Sequence, residues 1–127
     1  MVEMKFKRDE PFRYSFGTPL PCTYQLIVIN GQERKTSLGE GGILDISLSG
    51  LKLKTSLNIP LNDHLEIEIS LMISESPITL RGKFVWQKNN YSDYWYGVQF
   101  QADEETHMQL ISDLKNYSKN HLEKAHM

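Results

Sequence analysis

GGILDISLSGLKLKT, residues 41–55, decides how the chain is read. Its second half alternates. Leu51 and Leu53 are apolar while Lys52 and Lys54 are charged, the period of a strand with one dry and one wet face. Its middle, Asp45-Ile46-Ser47-Leu48-Ser49-Gly50, holds the polar and small residues of a tight turn. Asp and Ser are also side chains that grip polar ligands. The turn therefore has two readings, punctuation between strands or a site.

Strand signals continue on both sides of this segment. In DHLEIEISLMI (63–73), Leu65, Ile67, Ile69 and Leu71 oppose Glu66, Glu68 and Ser70. In PITLRGKFVWQ (77–87), Ile78, Leu80, Phe84 and Trp86 oppose Thr79, Arg81, Lys83 and Gln87. YWYGVQF (94–100) puts Tyr94, Tyr96, Val98 and Phe100 on one side, after a turn at NNYSD. TYQLIVIN (23–30) is rich in β-branched and aromatic residues and runs into Asn30-Gly31, a strong hairpin signal. QERKTSLGEGG (32–42) reads as a polar connection. From Asp103 the period becomes helical, with Met108, Ile111, Leu114 and Tyr117 in phase and Leu110 and Leu122 nearby. Asp103 is the predicted N-cap, and Glu104 and Glu105 suit the first turn.

Six or so short strands with one dry face each, followed by one helix, predict a mainly β fold: a small antiparallel β-barrel with a C-terminal α-helix at about 103–123. Residues 1–19 show no regular period and carry Pro11, Gly17 and Pro19. They read as a flexible basic arm, with Lys5, Lys7, Arg8 and Arg13, ahead of a barrel and helix over 20–127. The 127 residues make a single domain.

Composition narrows the function. The formal net charge of -2 lacks the basic excess of a duplex-binding protein, so DNA is not an expected partner. The single cysteine, Cys22, cannot form an internal disulfide. No apolar run approaches the roughly 20 residues of a membrane span, and the N-terminus lacks a signal peptide's hydrophobic region. A cytoplasmic protein without membrane insertion is expected. His64, His107, His121 and His126 are scattered and read as surface residues, so no metal is expected. No nucleophile elbow, Cys-His signature, Walker loop or dinucleotide fingerprint occurs. The expectation is a protein that is not an enzyme and carries no cofactor.

Two features remain, the basic arm and the Asp-Ser-Gly segment. Arginine's planar fork suits phosphate and the O6/N7 edge of guanine. A carboxylate accepts from the N–H groups of guanine's Watson–Crick edge, and a serine hydroxyl both donates and accepts. Gly50 permits close backbone approach or a positive φ. By spacing alone, solvated arginines and an ordinary turn are the plainer account.

Together these residues resemble the PilZ domain family. DISLSG matches its D-x-S-x-x-G motif, KRDEPFRYSF is similar to its arginine motif, and GKFVWQ and YGVQF resemble its last two strands. The resemblance runs from about residue 5 to 115. It implies a six-stranded β-barrel that binds cyclic di-GMP, a bacterial second messenger with two guanines and two phosphates. Carried over, Asp45 and Ser47 bond a guanine, Gly50 keeps the turn open, and Arg13 is the second motif arginine. The family's spacing is R-x-x-x-R. Here Asp9 stands four residues before Arg13, and Arg8 stands five before, with Lys7 beside it. Trp86 has two readings, a core residue continuing the even-numbered apolar face or a ring that stacks on guanine. The implied function is a cyclic di-GMP receptor or adaptor whose arm closes over the barrel rim and which signals through an unidentified effector protein. Motility and exopolysaccharide production are the processes the resemblance suggests. The alternative is a degenerate PilZ module that acts by protein contact without the nucleotide, using an apolar patch around Tyr91, Tyr94 or Trp95. A third reading, a single-stranded nucleic-acid binder, is opposed by the net charge.

Overall fold

The computed structural model describes residues 13–125, with side chains described to residue 119. Seven strands precede one helix: β1 (Arg13–Ile29), β2 (Gln32–Glu33), β3 (Gly39–Ser47), β4 (Gly50–Thr55), β5 (Glu66–Met72), β6 (Pro77–Asn90), β7 (Asp93–Gln101) and α1 (Glu104–Ala125). Six strands run in the order β1-β3-β4-β7-β6-β5, and β5 pairs back onto β1. Every pairing is antiparallel, so the sheet closes on itself and leaves no long unpaired edge among the described residues. The short β2 folds onto the end of β1 through Asn30 and Gly31, whose φ angles of 54° and 80° fit the turn the sequence predicts there.

Alternation fills the barrel. Ile43, Ile46, Leu53, Ile67 and Tyr96 have no exposed surface, and Leu51, Ile69, Leu71, Ile78, Leu80, Val98 and Phe100 are buried beside them. Tyr96 brings a polar tip into this core. Its hydroxyl donates to the Leu57 carbonyl at 2.7 Å and accepts from the Ile59 amide at 2.7 Å and from Gln87 Nε2 at 3.0 Å. The residues joining β4 to β5 are thereby tied to the barrel, and the buried hydroxyl is fully used.

The helix starts where the sequence puts it. Asp103 Oδ1 accepts the Thr106 amide at 2.8 Å, and bonds to Thr106 hold the Asp103 carboxyl below its ordinary pKa. Its buried face differs from the sequence expectation. Leu110 and Leu114 are fully buried, with Tyr117 half-buried, whereas Met108 is exposed. The periodic set read from sequence is therefore rotated: the contact stripe follows Leu110, Leu114 and Tyr117, spaced four and three apart.

Three stretches read as irregular are strand, the short β2 (Gln32–Glu33) among them. Arg13–Pro19 belongs to β1 rather than to an arm. Ser15 pairs with Asp45 and Leu20 with Ile43, so four residues of β1 bulge out opposite one of β3. That bulge takes up Gly17 and Pro19, which interrupt the period in the sequence. Gly39–Gly42 belongs to β3, where three glycines and a glutamate carry no alternation to read. The turn predicted at 89–93 shrinks to Tyr91 and Ser92 between β6 and β7.

Candidate ligand site on the barrel wall

Register alone assembles the site. Across five neighbouring strands, Ser15 stands opposite Asp45, Asp45 opposite Lys52, Lys52 opposite Gly97, and Gly97 opposite Trp86. Lys52 belongs to the wet face of β4, so this row lies on the outside of the barrel. Asp45, Lys52, Gly97 and Trp86 of this row line a cavity of about 240 Å³ together with Arg13 and Gln99, among others.

Asp45 is the centre of charge. Arg13 Nη1 lies 2.6 Å from Asp45 Oδ1, and Lys52 Nζ lies 3.4 Å from Asp45 Oδ2. The Asp45 side chain is 12% exposed and the Arg13 side chain 52%. One carboxylate is thus held by two cations at the pocket's edge, where a charge-assisted bond is shorter and stronger than a neutral one.

Trp86 lines the same cavity. The sequence pattern allowed it a place in the core, but the β6–β7 register shifts between Phe84 and Trp86. That bulge turns the indole outward, and it is 41% exposed. It lies across Gly97, where an added Cβ would stand 2.1 Å from Trp86 Nε1. Glycine at 97 is what lets the ring lie against the strand.

Ser47 and Gly50 build the turn. Ser47 is fully buried. Its Oγ accepts the amides of Ser49 at 3.4 Å and Gly50 at 3.2 Å, and donates to the Gly50 carbonyl at 3.3 Å. Gly50 is not in the left-handed region. Of the two roles glycine could play there, close approach is the one present, since a Cβ would meet the Val98 carbonyl at 3.2 Å. The turn is also tied to the helix, because His107 Nε2 lies 2.9 Å from the Leu48 carbonyl oxygen. His107 is thus more than the surface residue its isolation in sequence suggests.

Of the sequence-selected residues, Arg13, Asp45, Gly50 and Trp86 converge on one pocket. Ser47 supports it from within the turn. Lys7 and Arg8 lie outside the described residues. Sequence reasoning missed Lys52 and Gly97. Gly97 had a legible signal, a glycine interrupting a strongly patterned strand. Lys52 had none, since a lysine on a wet face is ordinary.

Away from this row, a larger cavity of about 490 Å³ is lined by Pro21, Cys22, Leu71, Met72 and Pro77 among others, and holds none of the motif residues. Burial raises the Cys22 thiol to about 11, which keeps it protonated and unreactive near neutrality. Among the described residues, no cluster of His, Cys, Asp or Glu is suited to a metal ion, and no helix is long and apolar enough to cross a membrane.

No curated protein matches this chain. Among solved structures, it is similar to a pathogenic protein from Xanthomonas campestris, described as a tetrameric PilZ domain self-assembled through a helical bundle. The two share 13% identity at a TM-score of 0.47, over 75% of this chain and 51% of the other, so this chain spans about half that protein's length. The family model of the PilZ domain matches residues 4–117. That range takes in every strand of the barrel, both motifs and the helix through Tyr117, and the chain belongs to the PilZ domain family.

Proposed function

We propose that this protein is a cyclic di-GMP receptor that acts as an adaptor, in keeping with a family of receptor and adaptor domains. The observation that carries the proposal is the Arg13–Asp45 pair lining one pocket with Trp86. A guanidinium and the Watson–Crick edge of guanine both offer N–H donors to a carboxylate. In the free protein Arg13 occupies Asp45. Guanine takes its place at Asp45, and Arg13 turns to phosphate, which its planar fork also fits. Trp86 then stacks on the base, an interaction worth about 1–3 kcal/mol. Ser47 takes part through the turn that sets Asp45 and Gly50 in position.

The cavity of about 240 Å³ is smaller than the roughly 300–1,000 Å³ that encloses a drug-sized ligand. One base enters it, and the rest of the dinucleotide lies over the rim. The first twelve residues, with Lys7 and Arg8, close over that portion, and the new surface is read by an effector protein. Arg13→Ala weakens cyclic di-GMP binding more than Lys7→Ala does in a binding titration. Equal effects would indicate diffuse charge attraction and oppose the assignment.

A second reading keeps the fold without the ligand. It is favoured by Asp45 being already satisfied by two cations and by Asp9 standing at the place of a motif arginine. Under it, a protein partner is captured equally with and without cyclic di-GMP. Capture or release that depends on the nucleotide excludes it.

A further inference from the structure

Lys52 stands in the middle of the site's row, opposite Asp45 on one neighbouring strand and Gly97 on the other. Among the described residues its ammonium has two neighbours. Asp45 Oδ2 is 3.4 Å away, and the Trp95 ring centroid is 5.5 Å away. The Asp45 contact is the looser of the two that carboxylate makes, since Arg13 sits at 2.6 Å. Asp45 therefore does not need Lys52, and among the described residues the pocket is lined by two cations and one carboxylate. The Lys52 side chain is 32% exposed, partly desolvated but open to the cavity it lines. Trp95, with Lys88 5.8 Å from the same ring, gives the lysine a second anchor besides Asp45.

We propose that Lys52 is a ligand-binding residue, the strand-borne cation that holds a phosphate of the nucleotide. This rests on the receptor reading above and deepens it. When guanine enters at Asp45, Arg13 and Lys52 both lose that carboxylate, and a dianionic ligand supplies the anions that replace it. A cation fixed on β4 beside Asp45 is set in position before binding. Lys52 thereby supplies the positive charge that the off-register first arginine of the motif would otherwise bring.

The test is calorimetric titration of the full chain with cyclic di-GMP at several salt concentrations, using wild type, Lys52→Gln, Lys52→Arg and Arg8→Ala. Lys52→Gln is expected to bind about tenfold or more weakly, the scale of a charge-assisted hydrogen bond, with a shallower salt dependence. Lys52→Arg keeps the charge and stays within about threefold of wild type. Arg8→Ala loses less than Lys52→Gln. Wild-type affinity and salt dependence in folded Lys52→Gln overturn the inference while leaving the receptor reading intact. So does Lys52→Arg binding as weakly as Lys52→Gln, which would reduce the lysine to a packing contact on Trp95. A folded wild type that gives no heat overturns both the reading and the inference.

Discussion

Gly97 shows how a single missing side chain shapes the site. An added methyl would occupy the space of the Trp86 indole, 2.1 Å from its nitrogen. Gly97→Ala therefore displaces the ring and weakens cyclic di-GMP binding by about tenfold, the low end of a lost base-stacking contact. A shift in intrinsic tryptophan emission with unchanged far-ultraviolet circular dichroism accompanies it; unaltered emission and affinity would remove Trp86 from the site. Cys22 makes an independent prediction. Its thiol is raised from 9.0 to about 11 by burial. The folded state holds the proton more tightly than the unfolded chain, so the contribution to stability is fully present below pH 9 and is lost as pH rises through 11. Ellman's reagent at about pH 8, below the ordinary thiol range, leaves Cys22 untouched in the folded protein and labels it fully in guanidinium. Rapid labelling of the folded protein would contradict its burial. Asp45 was legible in the sequence because a motif surrounded it. The outward turn of Trp86 was not, because a bulge is set by how two distant strands register and leaves the even-numbered pattern of β6 unbroken.

At the scale of elements, the C-terminal helix is attached to both segments that make the site. Near its start, His107 meets the Leu48 carbonyl within the D-x-S-x-x-G turn. Further along, Tyr117 packs edge-on against Tyr14 at 5.6 Å and Phe16 at 5.4 Å, and those two lie 5.0 Å apart. Tyr14 directly follows Arg13 in β1, so the strand that offers its arginine to the pocket offers the next ring to the helix. Tyr117→Ala opens this cluster and is expected to cost about 1–3 kcal/mol of stability in urea, from two edge-to-face pairs and the lost burial. A change within a few tenths of a kcal/mol would show that this aromatic cluster does not hold the helix. The helix itself was legible from its changed period and its Asp103 cap. The start of β1 was not, since Gly17, Pro19 and Pro21 erase the alternation, and only pairing with β3 makes that stretch a strand.

Across the whole molecule, closure of the sheet explains why so many strands have one dry face and none needs two. The alternation in β4, β5 and β7 carried this much of the fold directly, and Leu53 and Ile67 are fully buried as their phase requires. Leu53→Ala is expected to destabilise the barrel by about 2–5 kcal/mol, read as a lowered urea midpoint; a cost below about 1 kcal/mol would be incompatible with a packed interior at that position. Strand order was not legible in the same way, because period says which face is dry and nothing about which strands are neighbours. Yet order brings Arg13, Asp45, Lys52, Trp86 and Gly97, drawn from five separate strands, to one pocket. The purpose assigned to that pocket is recognition of a guanine nucleotide. Calorimetric titration of the folded wild-type chain with cyclic di-GMP tests it most directly. A saturable heat with micromolar or tighter affinity, absent with GMP at the same concentration, is the expected result. No heat at tens of micromolar cyclic di-GMP, with the protein shown to be folded, would contradict the assignment.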